Sequence, residues 1–271
     1  MPTLYLVATP IGNLDDITLR ALQTLRQVAL IACEDTRTTR HLLAHFDIRQ
    51  PTLAYNEHNH TARLPRILAT LEGGDVAFVS EAGMPAISDP GEMLVRAAID
   101  AGHRVIALPG PSAVVTAIAV SGLPPRPFTF LGFLPRSAKE RRKLLASMAP
   151  RPDTLVAFEA PHRLREALED AMAMLGERRI AVCRELTKLH EEVFRGTLRE
   201  ALAYFQEPRG EFTLVIEGAP RGSGRIDEHQ VLEELRALRD QGVSAKQAIA
   251  QLALTQGLSR RELYRLWLQL A

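Results

Sequence analysis

Short apolar segments alternate with helical patterns through the first half of this 271-residue chain. The apolar segments, rich in β-branched residues, are 4–8, 28–33, 52–55, 76–80 and 105–108. Helical periodicity covers residues 16–27, 38–45, 63–71 and 92–101 between them. Strands that alternate with helices predict an α/β fold whose first sheet is mainly parallel, with helices on both faces.

Three prolines within residues 122–127 predict a domain boundary, because a helix cannot continue through them. Residues 1–122 would form an N-terminal α/β domain and residues 123–220 a second one, with strands at 128–133, 154–158, 179–184 and 212–217. A Gly/Arg/Ser-rich linker follows. Residues 226–271 then read as a small helix-turn-helix-like module, with a turn at Gly257 and a helix start at Ser259.

Composition excludes several classes of protein. The net charge is +1, so no global positive field marks a nucleic-acid binder, and such a partner would be held by local patches. Two distant cysteines exclude a disulfide scaffold and argue against a zinc site; we expect both to be buried. No metal-ligand cluster is apparent. The chain shows no secretion signal, and its longest apolar stretch, 113–120, is too short for a bilayer, which predicts a cytoplasmic protein without a membrane partner.

Three predicted strands end in loops rich in glycine and proline, at residues 9–14, 80–91 and 109–113. Ligands gather at the carboxyl ends of strands in open α/β sheets, and such loops let backbone groups approach a ligand closely. The first turn lacks the dinucleotide fingerprint, and no phosphate-loop lysine follows any strand. The pattern therefore indicates a compact, nucleoside-like ligand held mostly by backbone.

These loops also carry a family resemblance. The segments T-P-I-G-N-L-D-D-I-T, C-E-D-T-R, S-E-A-G-M-P-A-I-S-D-P-G and P-G-P-S-A, followed by G-F-L-P-R, F-E-A-P-H-R and R-E-L-T-K-L-H-E-E, occur in this order. Together they resemble the 16S rRNA cytidine 2′-O-methyltransferase branch of the tetrapyrrole methylase superfamily. Where the tetrapyrrole enzymes have G-D-P, this chain has Gly83-Met84-Pro85.

The resemblance implies two α/β domains with S-adenosylmethionine (SAM) in the cleft between them, and a homodimer. It implies methylation of a cytidine ribose in 16S rRNA, at the decoding centre of the small (30S) ribosomal subunit. A tetrapyrrole C-methyltransferase and a non-enzymatic RNA-binding assembly protein are the alternatives.

By motif, the cofactor residues implied lie in the three strand-end loops and on the second domain. They are Pro10, Ile11, Gly12, Glu81, Gly83, Met84, Pro85, Ile87, Ser112, Ala113, Phe158, Cys183 and Thr213. Glu81 would either accept a bond from the SAM amino group or cap a turn.

Methyl transfer to a hydroxyl needs alignment, and a base or a cation beside the hydroxyl helps. Glu34, Asp35 and Arg37 follow the second strand, where Asp35 could instead cap the next helix and Arg37 hold a phosphate. Glu185 and Lys188 belong to a polar cluster at residues 184–192 that would line the site or form a solvated loop. The sequence does not decide which of four residues is the catalytic base: Glu34, Asp35, Glu185 or Lys188.

Two basic clusters are candidates for RNA contact. Arg136, Lys139, Arg141, Arg142 and Lys143 form one, and Arg260 and Arg261 of the C-terminal module form the other. An ordinary solvated helix face is the alternative for the first.

Overall fold

The computed structural model describes residues 2–87, 91–220, 228–256 and 260–270. They form two compact units. An α/β unit comprises Met1–Ala146 and Asp153–Glu217, and a helical unit comprises Ser147–Pro152 and Gly218–Ala271. Both sheets belong to the α/β unit.

The first sheet is parallel throughout, which confirms the predicted fold class. Its strands have the order β3-β2-β4-β1-β5, and every pairing is parallel. Their bounds are Thr3–Val7 (β1), Leu30–Cys33 (β2), Thr52–Ala54 (β3), Val76–Val79 (β4) and Arg104–Leu108 (β5). The carboxyl ends of all five strands therefore lie at one edge.

Helices cover both faces of this sheet, so separate apolar clusters lie on either side of it. The covering helices are Leu19–Gln27 (α1), Thr36–His45 (α2), His60–Leu71 (α3) and Gly91–Asp100 (α4), and Ala113–Ser121 (α5) follows the last strand. The prediction that α1 begins at residue 16 is wrong. A 3-10 turn covers Leu14–Asp16, and α1 begins after Thr18, whose hydroxyl accepts a hydrogen bond from the Ala21 N–H at 3.1 Å.

The second sheet has the order β6-β7-β10-β8-β9 and is mixed, with β6 parallel to β7 and the other pairings antiparallel. Its strands are Phe128–Phe133 (β6), Thr154–Glu159 (β7), Arg179–Arg184 (β8), Glu192–Thr197 (β9) and Phe212–Ile216 (β10), with helices Ala138–Met148 (α6), Leu164–Leu175 (α7) and Leu198–Tyr204 (α8). β9, a half-buried edge strand, is not predicted by the sequence pattern.

Helix α5 joins the two sheets. It follows β5 of the first sheet, and Ala117 and Ile118 of α5 pack against Val156 and Val215 of the second. The N-terminus of α5 therefore lies at the carboxyl edge of the first sheet, while its body lies on the second.

The helical unit contains Glu228–Asp240 (α9), Ala245–Gln256 (α10) and Arg260–Leu268 (α11) around a leucine-rich core of its own. The predicted turn at Gly257 and helix start at Ser259 lie outside the described residues, as do linker residues 221–225. Within the described ranges, no helix is long and apolar enough to cross a membrane.

Candidate active site

Two of the glycine- and proline-rich loops are bonded to each other at the carboxyl edge of the first sheet. The Thr9 N–H donates to the Gly83 carbonyl and the Gly83 N–H to the Thr9 carbonyl, each at 3.0 Å. Gly83 has φ +79°, a conformation that glycine adopts without strain. The loops after β1 and β4 therefore form one backbone wall, as the convergence of strand ends predicted.

A cavity of about 430 Å³ opens beside this wall, and we call it the first cavity. Its size lies within the range of small-molecule sites, roughly 300–1,000 Å³. Loops of the first sheet, the start of α5 and the ends of second-sheet strands surround it. The described lining residues are Ile11, Glu34, Ser80, Glu81, Ala82, Gly83, Met84, Ile87, Ser112, Ala113, Val114, Phe133, Phe158, Glu159, Ala160, Pro161, Cys183, Leu186, Glu211, Phe212 and Thr213.

Three strands of the second sheet place their lining residues side by side. Thr213 of β10 is paired with Phe158 of β7 on one side and with Cys183 of β8 on the other. Phe158 also makes edge-on ring contacts with Phe130 and Phe133. Cys183 is buried, as is Cys33, and burial raises the pKa of the Cys183 thiol to about 12. This side of the cavity is therefore apolar, with a neutral thiol.

The charged groups of the first cavity are acidic. Glu34, Glu81, Glu159 and Glu211 line it, and no lysine, arginine or histidine is among its described lining residues. Glu159 is buried and ion-paired through Oε1 with Arg163, whereas its buried Oε2 has no hydrogen-bond partner among the described residues. A lining of this charge favours a cationic ligand over a phosphate-bearing one.

A second cavity of about 260 Å³ adjoins the first. It lies between the loop after β1, the first turns of α2 and the loop after β8. Its described lining residues are Thr9, Pro10, Ile11, Gly12, Leu14, Thr38, Thr39, His41, Leu42, Ser80, Glu81, Ala82, Lys188 and Glu211.

The structure distributes the predicted cofactor residues over both cavities. Ile11, Glu81, Gly83, Met84, Ile87, Ser112, Ala113, Phe158, Cys183 and Thr213 line the first, and Pro10 and Gly12 line the second. Pro85 is buried and is not among the described residues that line either cavity. Residues that the sequence analysis did not single out include Ser80, Phe133, Leu186, Glu159 and Glu211.

Of the three candidate catalytic residues after β2, only one lines a cavity. Glu34 lines the first cavity, but neither Asp35 nor Arg37 is among the described lining residues of the two cavities. Asp35 is the N-cap of α2, with Oδ1 accepting from the Arg37 N–H and Oδ2 from the Arg37 guanidinium, both at 2.7 Å. These bonds lower the pKa of Asp35, so its carboxylate is a cap and an ion-pair partner rather than a ready proton acceptor.

Lys188 and Glu185 are paired at the edge of the second cavity. The Lys188 ammonium donates to Glu185 at 3.0 Å and to Glu211 at 2.9 Å. Burial would lower the pKa of Lys188, but these bonds raise it above its usual value, and they also help lower the pKa of Glu185 against the effect of burial. Lys188 is therefore held as a cation and is a poor base.

One predicted RNA contact is wrong. Arg141 is 1% exposed, and its guanidinium pairs with Asp170 of α7 at 2.7 Å and with Glu166 at 3.4 Å. It joins α6 to α7 inside the α/β unit and cannot reach a phosphate. Arg136, Lys139, Lys143 and Arg261 are exposed, and Arg142 is exposed but also paired with Asp170; the side chain of Arg260 lies outside the described residues.

The chain is similar to known proteins in sequence and in fold. A model of the family described as "Tetrapyrrole (Corrin/Porphyrin) Methylases" matches residues 3–202. Proteins named ribosomal RNA small subunit methyltransferase I are similar along most of the chain. The one from Synechocystis sp. is 49% identical over 100% of this chain and 99% of its own, and that from Halalkalibacterium halodurans is 46% identical over 98% and 95%.

A relative of the same name from Thermotoga maritima is 50% identical over 80% of this chain and 99% of its own length. Among solved structures, diphthine synthase superposes with TM-score 0.62 and 16% identity, covering 79% of this chain and 90% of that one. Uroporphyrin-III-C-methyltransferase from Thermus thermophilus superposes with TM-score 0.55 and 23% identity, covering 79% and 94%. At these identities the two structures establish the fold alone.

Proposed function

Because this chain belongs to the tetrapyrrole (corrin/porphyrin) methylase family, we propose that it transfers the methyl group of SAM to a ribose 2′-hydroxyl of small-subunit ribosomal RNA. The target is a cytidine of 16S rRNA at the decoding centre of the 30S subunit. The enzyme works in the cytoplasm as a homodimer. The observation that carries the proposal is the acidic first cavity at the carboxyl edge of a parallel sheet.

The first cavity suits SAM in charge and in shape. SAM carries a positive sulfonium and a positive amino group, and the carboxylates of Glu34 and Glu81 favour both, whereas Glu159 and Glu211 are also paired with Arg163 and Lys188. The N-terminus of α5, with Ser112 as its N-cap, presents free N–H groups to the cavity, and these favour the cofactor carboxylate. Phe133 and Phe158 offer apolar surface for the adenine ring.

The protein residues hold and align the reactants. When bound, SAM supplies an electrophilic methyl group. Ile11, Gly83, Met84, Ser112, Ala113, Phe158, Cys183 and Thr213 would enclose it, and Glu81 lines the same cavity. Pro10 and Gly12 line the adjoining second cavity, and Pro85 is buried in the loop after β4. A carboxylate beside the ribose 2′-hydroxyl takes up the proton that the hydroxyl releases when it is methylated.

The relatives' names favour ribosomal RNA as the substrate over a tetrapyrrole. Proteins that are 43–50% identical are named ribosomal RNA small subunit methyltransferases. The tetrapyrrole-methylating structure is only 23% identical. Exposed Arg136, Lys139 and Lys143 around α6, with Arg142 beside them and Arg260 and Arg261 in the helical unit, are the candidates for phosphate contact.

Mapping of methylated riboses on small-subunit rRNA tests the proposal. Small subunits from cells that lack the gene are incubated with the protein and labelled SAM, in parallel with a porphyrinoid precursor. We expect one labelled cytidine in 16S rRNA and none in the porphyrinoid. Label in the porphyrinoid alone, or none at all, contradicts the assignment.

A variant pair on α5 connects the activity to the first cavity. Ala113→Trp places an indole in the cavity lining, whereas Ala119→Trp places one at an exposed position of the same helix. Calorimetry should show SAM binding abolished in Ala113→Trp and retained in Ala119→Trp, with methylation following binding. Wild-type affinity in Ala113→Trp would place the cofactor elsewhere.

A further inference from the structure

The second cavity is continuous with the first. Five residues line both cavities: Ile11, Ser80, Glu81, Ala82 and Glu211. A ligand in the second cavity therefore meets a ligand in the first at a junction that contains two carboxylates. An acceptor and a methyl donor need this arrangement, because in-line displacement requires their reacting atoms to approach to about 3–3.5 Å.

The two cavities differ in charge. The second is lined by the Lys188 ammonium and His41 in addition to Glu81 and Glu211, whereas no basic side chain is among the described lining residues of the first. Thr38 and His41 offer hydrogen-bonding groups, and Pro10, Leu14 and Leu42 offer apolar surface. The second cavity thus combines an ion-paired lysine, neutral hydrogen-bonding groups and apolar surface, which suits a nucleotide: its base is flat, its ribose carries hydroxyls, and its phosphate can lie near Lys188.

Its volume limits the ligand to one nucleotide. About 260 Å³ is too small for a duplex and lies just below the usual range for drug-sized ligands, roughly 300–1,000 Å³. A nucleotide enters such a cavity only after it has left its neighbours in the stack. Unstacked, single-stranded RNA is therefore the form of substrate that this surface admits.

The loop after β8 gives the second cavity a fixed wall. Glu185 and Thr187 have φ of +52° and +66°, conformations that cost free energy for residues other than glycine. The loop is held to the first sheet by the Asn13 N–H, which donates to Thr187 Oγ1 at 3.0 Å, and to the start of β10 by Lys188, which bridges Glu185 and Glu211. Lys188 is thereby fixed beside the junction.

We propose that the second cavity receives the acceptor nucleotide of the RNA, flipped out of its stack, with its ribose 2′-hydroxyl at the junction and Lys188 as the residue that positions it. The inference rests on the proposed function. As the oxygen–methyl bond forms and the methyl–sulfur bond breaks, the hydroxyl proton passes to the junction carboxylate of Glu81 and then to water, whereas Glu211 stays paired with Lys188. Lys188 keeps its proton and orients the ribose and its phosphate.

Two matched double variants of α2 test the inference. Thr38→Leu with His41→Leu fills the second cavity and removes two polar groups from it. Ala44→Leu with His45→Leu introduces two leucines as well, at exposed positions of the same helix that are not among the described lining residues. Each protein is assayed for SAM affinity by calorimetry and for methyl transfer over a range of small-subunit concentrations.

We expect the Thr38/His41 variant to keep SAM affinity within about twofold of the wild type, which also shows that it is folded. Its kcat/KM for subunits should fall at least about tenfold, the change that a 1.4 kcal/mol weaker binding of the acceptor produces. The Ala44/His45 variant should match the wild type in both. A Thr38/His41 variant with wild-type kcat/KM overturns the inference.

A binding measurement separates this inference from the proposed function. A fluorescein-labelled, cytidine-rich single-stranded RNA is titrated with each protein in the presence of SAM, and anisotropy is followed. Weaker binding by the Thr38/His41 variant alone supports the second cavity, even if the wild-type protein methylates no subunit. Equal binding by all three proteins contradicts it, even if the wild type is active.

Discussion

Gly12 lies where the loop after β8 passes closest to the loop after β1. A Cβ at this position would be 2.4 Å from Lys188 Cγ and 2.9 Å from the Leu186 carbonyl oxygen. The lysine side chain can move aside, but the carbonyl belongs to the backbone of a loop held at both ends. A side chain at residue 12 therefore has to displace the segment that carries Lys188.

Gly12→Ala should consequently impair the enzyme and destabilise it. Overpacking costs about 1–3 kcal/mol of unfolding free energy. A displacement of order 1 Å beside the reacting groups lowers kcat/KM by up to about 10²-fold. Urea unfolding and subunit methylation measure the two effects.

Gly73→Ala is the matched control, because a Cβ there would meet no described atom within 4 Å. The control should keep wild-type stability and activity. A Gly12→Ala enzyme indistinguishable from it would mean that the loop after β8 moves freely.

Site residues differed in how far the sequence could predict them. Glycine- and proline-rich loops predicted where the cavity lies, because all parallel strands end at one edge. Phe158, Cys183 and Thr213 came from the family resemblance, and they are neighbours only through sheet register. Glu211 was missed because it precedes a strand, and the start of β10 lies beside the ends of β7 and β8 only because β10 runs antiparallel to both.

At the scale of secondary-structure elements, α6 and α7 are joined by buried charge. Asp170 of α7 accepts from Arg141 Nε through Oδ2 at 2.7 Å and from Arg142 Nε through Oδ1 at 2.5 Å. The side chains of Arg141 and Asp170 are 1% and 4% exposed. The basic run on α6 resembles a surface patch in sequence, since nothing local reveals that Asp170 covers part of it.

Asp170→Asn should destabilise the protein by about 3–5 kcal/mol, because it removes the buried carboxylate at 2.7 Å from the Arg141 guanidinium and leaves only the exposed Glu166 at 3.4 Å as its countercharge. Asp100→Asn is the control. Its ion pair with Arg96 spans 4.0 Å on the surface, with side chains 82% and 72% exposed, and such pairs contribute about 0–1 kcal/mol. Denaturant unfolding at neutral pH should separate the two variants, and equal losses of stability would argue against a structural role for the pair.

The ion pair between Arg141 and Asp170 also predicts that the free energy of unfolding depends on pH. Burial would raise the pKa of Asp170, but hydrogen bonds from Arg142 and Arg141 hold it below its usual value. A carboxyl whose pKa is lower in the folded state stabilises the protein fully above its unfolded pKa of about 3.9 and loses that contribution as pH falls through the folded pKa. The stability gap between wild type and Asp170→Asn should therefore narrow below about pH 4.

The strands and helices themselves were largely predictable, since most of them are long enough to show the spacing of apolar residues that is typical of a strand or a helix. β9 escaped because its residues are half-buried or exposed and follow a polar loop, so neither face gives a clean alternation. The start of α1 was placed too early because periodicity alone does not register the cap at Thr18.

At the scale of the whole molecule, the helical unit has a core of its own. Leu235, Leu252, Leu263 and Leu266 are buried within it. Both cavities are lined by residues of the α/β unit. The Thermotoga maritima relative is matched over 99% of its length but corresponds to only 80% of this chain. That relative therefore has no counterpart for the remaining fifth of this chain.

Deletion of residues 225–271 should therefore leave SAM binding intact and weaken binding of the small subunit. The deletion removes exposed Arg261 together with its neighbouring basic residues, and a protein that neutralises fewer phosphates binds RNA more weakly and with a shallower dependence on salt. Calorimetry with SAM and subunit co-sedimentation at two salt concentrations measure the two properties. Full-length and truncated proteins that sediment equally with subunits at both salt concentrations would assign RNA contact to the α/β unit alone, where Arg136, Lys139 and Lys143 become the groups to test.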